Sequence, residues 1–348
     1  MSNPIADPSN LTGSSGLADR SSPAGRSGLT QELLLSAYRQ MKLIREFEER
    51  LHIEIATGGI PGFTHLYAGQ EAVAVGVCSQ LGDQDYIVST HRGHGHCIAK
   101  GCDVIGMMKE IYGRKEGLCG GKGGSMHIAD FEKGMLGANA IVGGGPPIAV
   151  GAAVACKLRG NRSVSVAFGG DGSANQGTVF EAMNMAVVLK VPAIFVMENN
   201  GYSEHTGASY AVGSGDLAAR SRAFGMPAER VDGSDFHAVR EAMGRAVERA
   251  KQGEGPSTIE ATTTRFYGHF EGDPQNYRAK DEVARHRSTM DCLERFRARC
   301  QADGSLSTAA LEAIDAEVSA LIDRAVVEAK AAAPPLEADL YTDVYIRY

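Results

Sequence analysis

The sequence predicts an α/β fold: a doubly wound parallel sheet flanked by helices, continuing into a helical C-terminal part. Three observations carry this expectation. Between residues 86 and 262, short apolar runs alternate with stretches of helical length, the pattern that builds parallel sheets. Two polar motifs each close such a run. Gly170-Asp171-Gly172 follows the run 163–168, and Asn199-Asn200-Gly201 follows the run 193–197, with a helical stretch at about 176–189 between them. A right-handed crossover makes the two strands parallel and brings both loops to one edge of the sheet. Finally, His91 and Arg92 follow the predicted strand 86–89, and Arg265 and His269 follow the predicted strand 257–262. Ligands bind outside the carboxyl ends of open parallel sheets. Four predicted strands therefore send polar groups to a common edge.

The elements follow in order. Residues 1–28 are rich in Ser, Gly, Pro, Ala and Asp and lack apolar periodicity, so a disordered arm is expected. Leu34, Ala37, Tyr38, Met41, Ile44, Phe47 and Leu51 recur at helical spacing over 31–56, and Gly58-Gly59 with Pro61 stop that helix. A helix should start near Gln70 and another should cover 103–112. A small-residue helix at 147–158 could pack tightly on the sheet. A short strand at 229–231, an amphipathic helix at 235–252 and the strand 257–262 complete the alternation. From 278 to about 332 the pattern is helical and charged, and reads as a solvated packing face. Pro334-Pro335 end it, and the tail 340–348 reads as aromatic and extended. This gives three parts: an arm at 1–28, a ligand-binding α/β domain at 29–277, and a helical extension at 278–348 packed on the same domain.

Composition limits the function classes. The chain has 348 residues, 43% hydrophobic and 22% charged, ordinary for a globular protein. A formal net charge of −7 gives no reason to expect nucleic acid or an anionic membrane as partner. No apolar run reaches membrane-spanning length, and no charged-then-apolar leader opens the chain. Seven cysteines without paired spacing suit a reduced, cytoplasmic protein. Glycine concentrates between positions 93 and 177, which favours close backbone approach to a ligand.

Gly-Asp-Gly alone is a common turn. With Asn200 placed 29 positions after Asp171, each motif closing a strand, one carboxylate and one amide oxygen face a common point. Hard, sparse oxygen ligands on loops suit a magnesium ion that also holds a phosphate. The segment His91-Arg92-Gly93-His94-Gly95-His96-Cys97 invites a zinc reading, but it has no C-x-x-C partner and no helical His spacing, and its glycines suit a loop. Arg92 then reads as a phosphate ligand and His91 as a cofactor-packing residue. The glycine-rich run 117–127 fits either a phosphate cradle or a mobile loop; it lacks Walker A spacing and the context of a dinucleotide fold. His65 lies before the helix expected near Gln70, and a lone histidine is usually structural. His269 leaves a strand into a Gly/Pro loop, a fair position for a proton donor near pH 7.

HLYAGQEA, HRGHGH, KGGSMH, GDGSANQGTVFEAMNMA, ENNGY and RFYGHFEGDPQNYR, in this order, resemble the alpha subunits of the thiamine-dependent 2-oxo acid dehydrogenase complexes, over about residues 29–348. The resemblance implies a thiamine diphosphate-binding fold with thiamine diphosphate and Mg2+ as cofactors. It implies that Asp171 and Asn200 ligate the metal by side chain and Tyr202 by its backbone oxygen. Gly172 and Ser173 would lie against the diphosphate, Arg92 and Arg265 would pair with it, and Ala140 and Val142 would present backbone to the aminopyrimidine. His65 and His269 would border the reacting carbon. The implied partners are a beta subunit, in an assembly of two alpha and two beta chains, and a lipoyl-bearing acyltransferase. GYSEHTGASYAVGSGD and GHFEGDPQNYR look most like the acetoin dehydrogenase branch. Pyruvate enzymes of the mitochondrial type carry a serine after the catalytic histidine, where this chain has Phe270, and a tyrosine at the position of His91. A nicotinamide dehydrogenase is disfavoured by the missing GxGxxG. A non-catalytic assembly subunit is disfavoured by the intact Asp171, Asn200, Arg92 and His269.

Overall fold

The computed structural model describes residues 29–345. The expected arm at 1–28 and the last three residues of the tail lie outside it. Residues from Gln31 onward form one compact unit.

Helix α1, Gln31–Ala56, buries the stripe read from the sequence, Leu34 to Leu51. It also buries three charged side chains, Arg45, Glu48 and Glu54, each with a partner elsewhere in the fold. α2 (Glu71–Cys78) and β1 (Tyr86–Val88) follow. α3, His94–Lys100, occupies the segment expected to be a loop. Its glycine is a packing device: a Cβ on Gly95 would occupy the place of the Tyr67 ring. Asp103 caps α4, Val104–Ile111, by accepting from the Gly106 N–H at 2.6 Å.

Next come α5 (Gly145–Arg159), β2 (Ser165–Gly170), α6 (Gly177–Leu189) and β3 (Ala193–Asn199). A small hairpin of β4 (Tyr202–Ser203) and β5 (Thr206–Gly207) leads into the short helices α7 (Ala208–Ala211) and α8 (Leu217–Arg222). β6 (Ala228–Asp232), α9 (Phe236–Lys251) and β7 (Ser257–Thr262) close the sheet.

The sheet has five strands in the order β1-β2-β3-β7-β6, all parallel. Ala149, Val150 and Ala153 of α5 and Val179, Ala182 and Met183 of α6 share a core cluster with Ala167, Phe195 and Met197 of the sheet. α2 and α9 pack on each other on the opposite face, close enough that a Cβ on Gly76 would meet Val239 Cγ1 at 2.7 Å. The strand ends are level: Gly170 pairs with Glu198, and Asn199 with Thr262. The loops after β2, β3 and β7 therefore leave from adjacent points, which is how the sheet gathers the polar residues.

α10 (Glu282–Met290), α11 (Cys292–Asp303) and α12 (Thr308–Ala331) form the C-terminal part. α12 packs along α1 and α4. These helices are more than a solvated face: Arg45 joins buried Glu71 at 2.5 Å and Asp291, the N-cap of α11, at 2.9 Å. The tail, expected to be extended over 340–348, departs from that at its start. Residues Glu337–Tyr341 form a 3-10 turn, tied down by Lys115 to Asp339 and followed by a Lys122–Asp343 ion pair, both 2.8 Å. Proline at 334 and 335 stops the α-helix, and Asp339 accepting from the Leu336 N–H at 2.7 Å starts the new turn. Among the described residues, no helix is long and apolar enough to cross a membrane.

Candidate active site

The cavity at the carboxyl edge of the sheet gathers the residues singled out in the sequence. His65, His91, Arg92, Ala140, Val142, Asp171, Gly172, Ser173, Asn200, Tyr202 and His269 all line it. Arg265 stands one layer behind, fully buried.

Asp171 leaves β2 into this cavity with its carboxyl buried. Its Oδ2 has no hydrogen-bond partner, and burial raises the carboxyl to about 6. An orphaned buried carboxylate oxygen beside an amide is an incomplete cation site. The amide is Asn200, whose Nδ2 donates to Gln70 Oε1 at 3.1 Å, turning Oδ1 toward the Tyr202 N–H at 3.3 Å. The Tyr202 hydroxyl points away and donates to Glu282 of α10 at 2.8 Å, which leaves only its backbone at the loop. Gly172 must lack a side chain because Ser203 fills the space where a Cβ would be. The Ser173 hydroxyl is spent on Gly170 O at 2.9 Å, so its backbone is what it offers the cavity.

The two arginines differ. Arg92 donates from Nη1 to Leu66 O at 2.6 Å and from Nη2 to His269 O at 2.9 Å, so both terminal nitrogens already hold the cavity walls. Burial and the neighbouring Arg265 lower it to about 9. The Arg265 guanidinium keeps Nε and Nη1 without partners, and its Nη2 donates to the Tyr277 hydroxyl at 3.4 Å. Unpaired guanidinium donors beside an unpaired carboxylate fit a diphosphate–magnesium pair, which supplies an anion to one and a cation to the other.

Three imidazoles form a triangle at the opposite side. Ring centroids are 4.5 Å apart for His65 and His91, 5.0 Å for His65 and His269, and 5.2 Å for His91 and His269. Burial first and Arg92 second hold His65 at about 3, His91 at about 2 and His269 at about 3, so all are neutral at pH 7. His65 Nδ1 is buried without a partner. The His269 backbone is set by Asp273, which accepts from the His269 main-chain N–H at 2.7 Å, from the Gln275 main-chain N–H at 2.9 Å and from the Tyr277 hydroxyl at 2.6 Å. Burial pushes Asp273 up, but these donors hold it down at about 2. Phe270 stacks edge-on with Phe63, 5.7 Å between centroids.

The zinc reading of residues 91–97 does not survive. Helix α3 turns His94 to Glu48 at 3.0 Å and Ser125 at 2.9 Å, and His96 to Ser89 at 2.7 Å and Glu198 at 3.2 Å, while only His91 faces the cavity. The glycine-rich run is neither an open phosphate cradle nor an unpinned loop, because the Glu110 carboxylate already occupies its amides.

Sequence reasoning missed Gln70, Met126 and Glu198, which also line the cavity. Glu198 is buried between the Tyr67 hydroxyl and His96. Its position directly before Asn199-Asn200 was the available signal. Gln70 carried none, since its role depends on a loop more than a hundred residues away.

The sequence matches the dehydrogenase E1 component family over residues 39–337. It is 54% identical over 320 residues to the alpha subunit of acetoin:2,6-dichlorophenolindophenol oxidoreductase of Cupriavidus necator, covering 92% of this chain and 96% of that one. Identity is 51% over 320 residues, with the same coverage, to the protein of that name in Bacillus subtilis. It is 43% over 312 residues, 90% of each chain, to the pyruvate dehydrogenase E1 component subunit alpha of Rhizobium meliloti. A level-ended parallel sheet presenting the aspartate, asparagine and histidines at one edge, and a match across most of the sequence, agree: this chain belongs to the dehydrogenase E1 component family.

Proposed function

We propose that this chain is the alpha subunit of a thiamine diphosphate-dependent dehydrogenase component that cleaves acetoin and passes the acetyl group to a lipoyl-bearing acyltransferase. The observation that carries the cofactor reading is the buried Asp171 Oδ2, which has no partner in a cavity otherwise rich in donors. Asp171 and Asn200 would hold Mg2+ through their side chains and Tyr202 through its backbone oxygen. Arg265 supplies free donors for the diphosphate, with the backbone of Gly172 and Ser173 alongside. Arg92 braces the cavity walls and contributes charge. Ala140 and Val142 supply backbone for the aminopyrimidine. Bound thiamine diphosphate supplies a nucleophilic carbon and an electron sink for breaking the bond next to a carbonyl.

The chain's own task at the reacting end falls to the imidazoles. Neutral His65, with Nδ1 unsatisfied, has a ring nitrogen ready for a substrate hydroxyl or carbonyl. His269, its backbone held by Asp273, presents a neutral imidazole that can hydrogen-bond the reacting group. Phe270 packs beside the rings of His65 and His269, with centroids 6.3 Å and 6.5 Å away.

Acetoin is favoured over pyruvate by the higher identity to the acetoin-named subunits. The beta subunit would supply the carboxylate that the aminopyrimidine needs, in an assembly of two alpha and two beta chains. The test is a reconstituted alpha–beta complex assayed with 2,6-dichlorophenolindophenol. The expected kcat/KM for acetoin is about tenfold or more above that for pyruvate, a difference of about 1.4 kcal/mol. Equal or reversed values would replace acetoin by pyruvate and leave the cofactor reading in place.

A further inference from the structure

The run Gly117-Leu118-Cys119-Gly120-Gly121-Lys122-Gly123-Gly124 curls around the end of α4. Glu110, in the last turn of α4, is fully buried. Its Oε2 accepts from the N–H groups of Cys119 and Gly121, both at 2.8 Å. Its Oε1 accepts from those of Gly123 at 2.7 Å and Gly124 at 3.0 Å. Among the described residues no basic side chain pairs with it; four backbone amides are its counter-charge. Successive amides converging on one point form an anion nest, the device proteins use to hold phosphate. Here the anion is part of the chain.

The glycines are the condition for this arrangement. Gly121 and Gly124 take positive φ, at 75° and 58°. A Cβ on Gly117 would run into the Glu110 carboxylate and backbone, and one on Gly123 would meet His127 O at 2.7 Å and Glu110 Oε1 at 3.3 Å.

The pinned loop feeds directly into the cavity. Ser125, next after Gly124, bonds His94 at 2.9 Å through its hydroxyl, and His94 bonds Glu48 on α1 at 3.0 Å. All three side chains are buried. His94 opens α3, two residues after Arg92 and three after His91. Met126, next after Ser125, lines the cavity itself.

We propose that Glu110 is a positioning residue of the active site: its carboxylate is the built-in anion of the glycine-rich nest, and it fixes through that loop both Met126 and the start of α3 behind His91 and Arg92. The loop part stands on the geometry alone, and the cofactor part rests on the thiamine diphosphate reading of the cavity.

Glu110→Gln in the assembled alpha–beta complex tests it. The glutamine keeps the size but turns an NH2 toward two of the four N–H donors. Lys122 lies within the loop, so trypsin cleavage after it, located by mass spectrometry, reports on the nest. Cleavage is expected to rise about tenfold or more with far-ultraviolet dichroism unchanged. The dissociation constant for thiamine diphosphate with Mg2+ is expected to rise about fivefold or more. Glu110→Ala separates charge from packing. Added formate should restore protection of Lys122, and formamide of similar size should not. Should Glu110→Ala fail to fold, Gly123→Ala pushes the loop from the other side with the carboxylate retained, and it should expose Lys122 likewise. Wild-type protection of Lys122 in Glu110→Gln would overturn the proposal, as would equal rescue by formamide. An exposed loop with unchanged cofactor affinity would also overturn it, leaving Glu110 structural only. Failure of the wild-type complex to bind thiamine diphosphate would sink the cofactor reading instead, with the protease result for the nest still standing.

Discussion

At the residue scale two charged groups at the cavity keep atoms without partners. Asp171 Oδ2 and Arg265 Nε and Nη1 are buried and unsatisfied. Leaving a buried carboxylate unpaired costs stability, so the cofactor-free chain carries the cost that the loaded one recovers. Asp171→Asn should therefore remove most magnesium-dependent affinity for thiamine diphosphate, by about 3 kcal/mol or more. The same substitution should leave the thermal midpoint of the cofactor-free chain unchanged or higher at pH 7. Calorimetry and a melt on one preparation check both; unchanged affinity would refute the site. The imidazoles give a pH dependence of definite sign. His65, His91 and His269 sit at about 3, 2 and 3 in the folded chain, against an ordinary value near 6.5. Below about pH 6.5 the unfolded chain binds protons that the folded one refuses, so stability should fall as pH drops from 6.5 toward 3. His91→Asn removes one such group. Cofactor-free melts between pH 7 and 5 should show a shallower decline for this variant than for wild type. A parallel decline in both would show that His91 already titrates normally.

At the scale of elements, the loops after β2, β3 and β7 are held from behind by separate devices. The loop of His269 hangs on Asp273, and Arg278 donates to Arg265 O at 3.0 Å to close the same turn. Asp273→Ala should lower kcat about tenfold through loss of His269 placement. The affinity for thiamine diphosphate should stay within about twofold, since Asp171 and Asn200 lie on other loops. A binding titration beside steady-state kinetics distinguishes this from general loosening, in which both would fail together. Elements of this kind were legible in the sequence where a local signal existed. The alternation from Tyr86 to Thr262 gave the sheet, and Asp103 and Asp235 gave two helix starts, because periodicity and caps are written within a few residues. α3 was not legible: Gly93-His94-Gly95-His96 has poor helix propensity, and burial against Tyr67, Glu48 and Glu198 holds it. The anion in the glycine nest was equally hidden, since nothing in a run of glycines says whether its anion is a bound phosphate or the chain's own carboxylate.

At the scale of the whole molecule, the question is whether this chain can work alone. Thiamine catalysis needs a carboxylate against the aminopyrimidine in addition to the metal site. Among the described residues three carboxylates line the cavity: Asp171, Glu198 and Glu204. In the proposed reading Asp171 holds the metal. Glu198 is fixed by the Tyr67 hydroxyl and His96 behind the asparagine pair, and Glu204 sits exposed on the hairpin turn at φ 52°. Among the described residues there is one parallel sheet, and in the proposed reading its carboxyl edge is the diphosphate end. Its exposed apolar residues point to a partner at the other end. Ile141 and Val142 beside the cavity are 73% and 50% exposed, and Ile148 at the start of α5 is 47% exposed, more than a free surface around an active site keeps without a reason. The names of the relatives describe subunits, which agrees. The isolated chain should therefore show no acetoin-dependent reduction of an artificial acceptor, at any concentration of thiamine diphosphate and Mg2+. Addition of the beta chain should restore turnover, and Ile148→Asp should impair that restoration by about tenfold or more while leaving the isolated alpha chain folded. Full turnover by this polypeptide alone would overturn the division of labour and turn attention to Glu198 or Glu204 as the missing carboxylate.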